Sequence, residues 1–153
     1  MNYSFWLTEI NNMFNHSPMQ NSKNPSGKWH RFLYYHFPMI LYGGLIITIS
    51  SIPDLHTPQV RNIAFDKAAH FVEYALFAFL TFRSFSNWDW MNRLGRGCIF
   101  AALFLTLFAV FDEFYQSLIP GRFASVYDVF ADLCGALLVL AFFEVRRRRL
   151  SRS

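Results

Sequence analysis

The sequence predicts an all-α integral membrane protein, a bundle of about four transmembrane helices with both termini cytoplasmic. Three observations carry that prediction. The 153 residues are 54% hydrophobic and 20% aromatic, with 19 Phe, and only 16% are charged; a soluble domain carries roughly 25% charged residues. The apolar residues fall into four runs, each near the roughly 20 residues that a helix needs to cross a bilayer core. Lys and Arg gather on one side of those runs. A soluble all-α core would use shorter, less uniform runs.

The length suits one domain. We expect a transmembrane domain over 32–145, preceded by an N-terminal cytoplasmic or interfacial segment, 1–31, and followed by a basic cytoplasmic tail, 146–153. The N-terminus lacks the basic region and continuous apolar core of a secretory signal. Tyr3, Trp6, Leu7, Ile10, Met13 and Phe14 follow helical spacing. They suit an interfacial amphipathic helix, or equally a frayed tail. Residues 15–28 are polar, contain Pro and Ser, and read as linker.

The four spans run over about 32–52, which contains PMILYGGLIITIS, then 66–85, 97–119 and 125–145. Pro53, Pro58 and Pro120 fall between them, where a missing N–H does least harm. Orientation follows from the basic residues, which favour the cytoplasmic side. Lys23, Lys28 and Arg31 precede the first span, Arg83, Arg93 and Arg96 lie between the second and third, and Arg146, Arg147, Arg148, Arg149 and Arg152 follow the fourth. Only Arg61, Lys67 and Arg122 belong to the other side. Trp29, Trp88 and Trp90 then sit at the cytoplasmic interface, where indole is favoured.

The net charge of +4 does not point to nucleic acid, because five of the 14 Lys and Arg crowd into the last eight residues. No RNA- or DNA-binding motif accompanies them. Cys98 and Cys134 lie inside apolar runs without zinc-type spacing and read as small apolar side chains.

Polar residues intrude on this pattern at chosen places. The stretch DKAAHFVEY opens the second span, and Asp66, His70, Glu73 and Tyr74 share one helical face by i+4, i+7 and i+8 spacing. Glu73 lies about 10 Å deeper than Asp66 at the usual helical rise. Asp112, Glu113 and Gln116 come late in the third span, and Asp128, Asp132 and Gly135 early in the fourth. Three helices thus carry their acids in one outer depth band. Charge at a helix centre costs roughly 2.5–3.5 kcal/mol on insertion scales, and an outer position with mutual pairing lowers that cost. Scattered polar glue need not share a depth. Simpler readings remain for some members. Asp66 and Asp128 suit helix capping, with Ser125 an alternative cap. Lys67 and Arg122 suit neutralisation of nearby acids, and the whole set could be a structural network.

The stretches SSIP at 50–53, DKAAHFVEYALFAFL at 66–80 and DEFYQSLIPGRFASVYDVFADLCG at 112–135 resemble the VanZ-like membrane protein family. The last is the most specific, with Asp-Glu, Gln three residues after the Glu, then Pro-Gly-Arg, Ser, Asp and Gly. The resemblance covers about 37–145. Two positions depart from the family pattern: Asp132 stands where Asn is common, and Val139 where a second small residue is usual. The resemblance implies a small multi-pass protein of the cell membrane, with a link to low-level resistance to glycopeptides such as teicoplanin.

Three functions are compatible with these residues. The first is an enzyme acting on a lipid or lipid-linked cell-wall precursor at the outer face. His70, Glu73, Asp112, Glu113 and Asp128 are its catalytic candidates, with Lys67, Tyr74, Gln116 and Arg122 as substrate-binding candidates. His70, oriented by a carboxylate, could serve as general base with Glu73 as proton carrier. Alternatively Asp112, Glu113, Asp128 and Asp132, with His70, could hold a divalent cation such as Mg²⁺ or Mn²⁺. Arg122, on the Pro-Gly loop, suits a bidentate grip on phosphate. The second function is a non-catalytic binder of a surface lipid or glycopeptide target. The third, a proton-coupled transporter, is least favoured. Transporter sites lie near the midplane, and four helices make a meagre pathway without oligomerisation.

Overall fold

The structure, a computed structural model, describes residues 25–53, 63–88, 96–122 and 124–150. Among them the regular elements are helices: α1 (Pro25–Tyr35), α2 (Phe37–Ser50), α3 (Ile63–Ser86), α4 (Gly97–Ser117) and α5 (Val126–Leu150). The amphipathic pattern of residues 3–14 lies outside the described residues. The expected linker over 15–28 is corrected at its end, because Pro25–Lys28 are already helical. Pro favours the first helical turn, where its missing N–H costs nothing.

α1 and α2 are nearly one helix. His36 N–H still bonds to Phe32 O at 2.9 Å, and Ile40 N–H to His36 O at 3.1 Å. Pro38, in the first turn of α2, has no N–H to give, so the hydrogen-bond ladder lapses at this point. α2 ends where the Ser51 hydroxyl and N–H both turn back to Ile47 O, with Pro53 just beyond.

α3 is the central helix. It packs most extensively against α5 and also against α4, α2 and α1. Phe77 occupies its middle, with ring centroids of Tyr42 at 5.9 Å, Tyr74 at 6.0 Å, Phe104 at 6.0 Å and Phe108 at 4.9 Å. Further along, Phe82 stacks on Phe143 at 4.4 Å. Between α3 and α5 the two backbones almost touch. A Cβ at Gly135 would lie 2.1 Å from Phe71 O and 3.2 Å from Ala75 N, so only glycine fits.

The outer surface is apolar. Leu107 is 71% exposed, and Leu41, Leu103, Phe114, Phe130 and Leu138 all lie more than half exposed on the outward faces of α2, α4 and α5. Buried carboxylates inside and exposed leucines outside invert the order of a water-soluble core, where large exposed apolar patches are rare. Lipid is the solvent such a surface requires. Three helical runs, Lys28–Ser50, Gly97–Ser117 and Val126–Arg149, are long and apolar enough to cross a membrane. The fourth expected span, within α3, is less apolar because it carries Asp66, Lys67, Glu73 and Arg83. That difference follows from its place: α3 faces mainly protein, so its sequence is freed from matching lipid.

Candidate functional site

The antiparallel run of the helices brings four termini together at one end of the bundle: the C-termini of α2 and α4 and the N-termini of α3 and α5. Every site residue expected from the sequence lies on these segments or on the loop between α4 and α5. Asp112, Glu113, Gln116, Asp128, Asp132, Arg122 and Tyr74 are all buried.

Two contacts join α3 to α5. Lys67 Nζ donates to Asp128 Oδ1 and, at 3.3 Å, to Asp66 Oδ2. One turn deeper, His70 Nδ1 stands 3.0 Å from Asp132 Oδ1. With Asp132 ionised, its carboxylate accepts from Nδ1–H, an arrangement that leaves Nε2 as the basic nitrogen whenever the ring is neutral. The sequence left the orienting carboxylate open. The carboxylate that meets His70 is that of Asp132.

A second set joins α4 to α2. Gln116 Nε2 donates to Asp112 Oδ2 at 3.1 Å and to Ser50 Oγ at 3.2 Å. Ser51 Oγ and Tyr115 Oη meet at 3.0 Å. Neither Ser50 nor Ser51 was a site candidate, although the SSIP stretch that contains them was a visible signal. Glu113 reaches instead to the start of α5, where its Oε1 accepts the backbone N–H of Ser125. Tyr42 Oη donates to the backbone carbonyl of Glu73 at 3.3 Å.

The capping alternatives divide: Ser125 stands directly before α5, at the cap position, whereas the two aspartates do not. α3 begins at Ile63 and α5 at Val126, so Asp66 and Asp128 lie inside first turns rather than at cap positions. Their charges still suit a helix N-terminus, but both side chains engage Lys67. The loop that carries Arg122 is a tight turn. Arg122 N–H bonds to Ile119 O at 3.1 Å, with Pro120 at the second position and Gly121 at φ 78° at the third. Pro followed by a positive-φ glycine defines a type II turn.

The two sets share one electrostatic neighbourhood. Tyr74 lies within reach of the charges of Asp132, Asp112, Glu73 and Glu113, and Asp132 within reach of Asp112 and Glu73. Arg122 acts on Glu73 and Asp112. Tyr74 Oη, Asp112 Oδ1, Glu113 Oε2 and Asp132 Oδ2 are buried without a hydrogen-bond partner among the described residues. Also among the described residues, no three His, Cys, Asp or Glu side chains are grouped so as to hold a metal ion.

The opposite end of the bundle is basic and aromatic. Arg83 lies over the Tyr34 ring at 4.2 Å, Arg31 donates to Asn87 O, and His36 Nδ1 meets Ser84 Oγ at 2.7 Å. Glu144 pairs with Arg147 at 2.8 Å and Arg148 at 2.7 Å. Trp29 and Trp88 are exposed here, while Trp90 lies outside the described residues. Both cysteine thiols are free.

Fold and site together define a helical membrane protein with a polar cluster buried at one end of its bundle. Residues 3–147 match the VanZ/LLP1 family, and the chain belongs to that family. No curated protein and no solved structure matches the chain.

Proposed function

We propose that the chain crosses the cell membrane four times, with both termini cytoplasmic, and that its polar cluster faces outward and acts on a lipid or lipid-linked molecule of the cell envelope. The single observation that carries this reading is the set of buried oxygens on Tyr74, Asp112, Glu113 and Asp132 without partners among the described residues. A purely structural network in lipid gains by satisfying every polar atom, since an unpaired buried one costs about 1–3 kcal/mol. Orphan atoms gathered at one place support a ligand over a closed structural network.

The crossing of α3 is supported by its 24 residues, about 36 Å at the usual rise, and by its antiparallel place among three apolar spans. The orientation is supported by the basic residues of the opposite end.

In this reading His70 is the general base, with Asp132 holding the ring and its tautomer. Glu73 relays the proton. Arg122 grips phosphate, and Asp112 and Gln116 shape the wall of the site. A change in a lipid-linked wall precursor or head group would be the connection with glycopeptide resistance. Lipid and envelope-precursor profiling of a deletion strain against one carrying Glu113→Gln tests the reading. Gln keeps the oxygen that accepts from Ser125 and removes only the charge. The two strains should share one altered profile; a wild-type profile in the Glu113→Gln strain would count against an acting site.

A further inference from the structure

A groove opens on the outward face of α5 at the basic end of the bundle, opposite the polar cluster. Leu138, Ala141, Phe142, Val145, Arg146 and Arg149 line its volume of about 440 Å³. Helical spacing puts Leu138, Ala141, Phe142, Val145 and Arg149 on one stripe. Ala141 makes the hollow, because its neighbours on that stripe are large and its own side chain ends at Cβ. From Leu138 to Arg149 the stripe runs about 16 Å at the usual helical rise. That is close to half of a bilayer's hydrocarbon core. The groove is apolar over its inner length and cationic at its mouth.

The four arginines that end α5 are not equivalent. Glu144 accepts from Arg147 at 2.8 and 3.0 Å and from Arg148 at 2.7 Å. Arg146, half-buried, and Arg149, exposed, line the groove instead. None of the described residues that line it is acidic. A plain hydrocarbon tail would use the apolar stripe alone, and diffuse attraction to a charged membrane surface would need no hollow. Two guanidiniums at the mouth of an apolar furrow suit one molecule with an anionic head and a hydrocarbon tail. A parallel second copy of the chain suits it poorly, because the same arginines would meet at low dielectric.

We propose that this groove binds an anionic phospholipid of the leaflet at the basic end of the bundle. One acyl chain lies along Leu138, Ala141, Phe142 and Val145, and Arg146 and Arg149 hold the phosphate. A guanidinium pairs phosphate oxygens through parallel hydrogen bonds, and partial removal from water strengthens that contact. The site lies at the far end of the bundle from the polar cluster, and it stands whatever that cluster does.

The test is native mass spectrometry of the purified full chain in maltoside, with dioleoyl phosphatidylglycerol or dioleoyl phosphatidylcholine added. The anionic lipid should bind at least about tenfold tighter than the zwitterionic one. Two double variants of equal net charge separate a site from a diffuse field. Arg146→Gln with Arg149→Gln should lose at least about tenfold of the affinity for phosphatidylglycerol, and Arg147→Gln with Arg148→Gln less than about threefold. Ala141→Leu, at an exposed position and without change of charge, should weaken binding at least about threefold, because the added carbons take the place of the acyl chain. Equal binding of the two lipids by the native chain overturns the inference, and that comparison needs no variant to fold. Equal losses in the two double variants, or full affinity with Ala141→Leu, would reduce the binding to diffuse attraction and overturn the groove as a site.

Discussion

His70 Nδ1 and Asp132 Oδ1 meet at 3.0 Å across the seam of α3 and α5, one turn from the point where Gly135 lets the two backbones come together. The pair and the glycine are one device. A side chain at 135 would hold the helices apart, and a short Asp could then no longer reach the imidazole. The same close approach lets Lys67 engage Asp128 one turn further out.

Gly135→Ala should therefore act on both stability and site. The added Cβ must displace backbone, not a pliant side chain, so the expected loss is about 1–3 kcal/mol. A lowered midpoint of thermal unfolding in detergent would show it. Gly44→Ala is the control, since nothing lies within 4 Å of a Cβ there. Equal midpoints for the two variants would contradict the close crossing.

The turn before α5 offers a second expectation. Gly121 holds φ at 78°, which costs a residue with a Cβ about 1–2 kcal/mol. Gly121→Ala should lower stability modestly and impair the envelope phenotype more, because Arg122 loses its aim. Loss of both to the same small degree would make the turn a plain connector.

Arg122 itself separates two roles. If it grips phosphate, Arg122→Lys should fail nearly as badly as Arg122→Gln in restoring the lipid profile of a deletion strain. Lys lacks the planar fork that binds two oxygens at once. Near-normal rescue by Lys would leave Arg122 as a counter-charge to Glu73 and Asp112.

Topology is open to direct labelling. A single cysteine placed at 56 in intact cells should react with an impermeant thiol reagent, while one at 89 should not. The reverse pattern would remove the outward-facing site.

Much of this arrangement was legible in the residues. Spacing put Asp66, His70, Glu73 and Tyr74 on one helical face, and Asp128, Asp132 and Gly135 on another, because helical periodicity is local. The partner of His70 was not legible. Six carboxylates lay in the same outer band, and only the crossing at Gly135 selects Asp132 among them. Ser50 was missed for the same reason: a serine at a helix end looks like a cap until Gln116 and Asp112 arrive from another helix. The charges in α3 obscured its place, since apolarity reports contact with lipid and α3 mostly contacts protein. The helix from Pro25 began inside a polar stretch, where its contacts with α2 and α3 outweigh weak local preference.

The most direct measurement is the envelope lipid profile of cells in which His70→Asn replaces the native chain, taken beside the amount of folded protein in the membrane. Asn offers an amide donor near the position of Nδ1, so the bond to Asp132 can persist, but it has no basic nitrogen. A catalytic His70 requires that this strain match the deletion strain while the protein remains inserted and folded. The double variant with Asp132→Asn should then be no worse, because residues of one reacting unit are not additive. A wild-type profile with His70→Asn would show that the cluster is scaffold and not a site of chemistry.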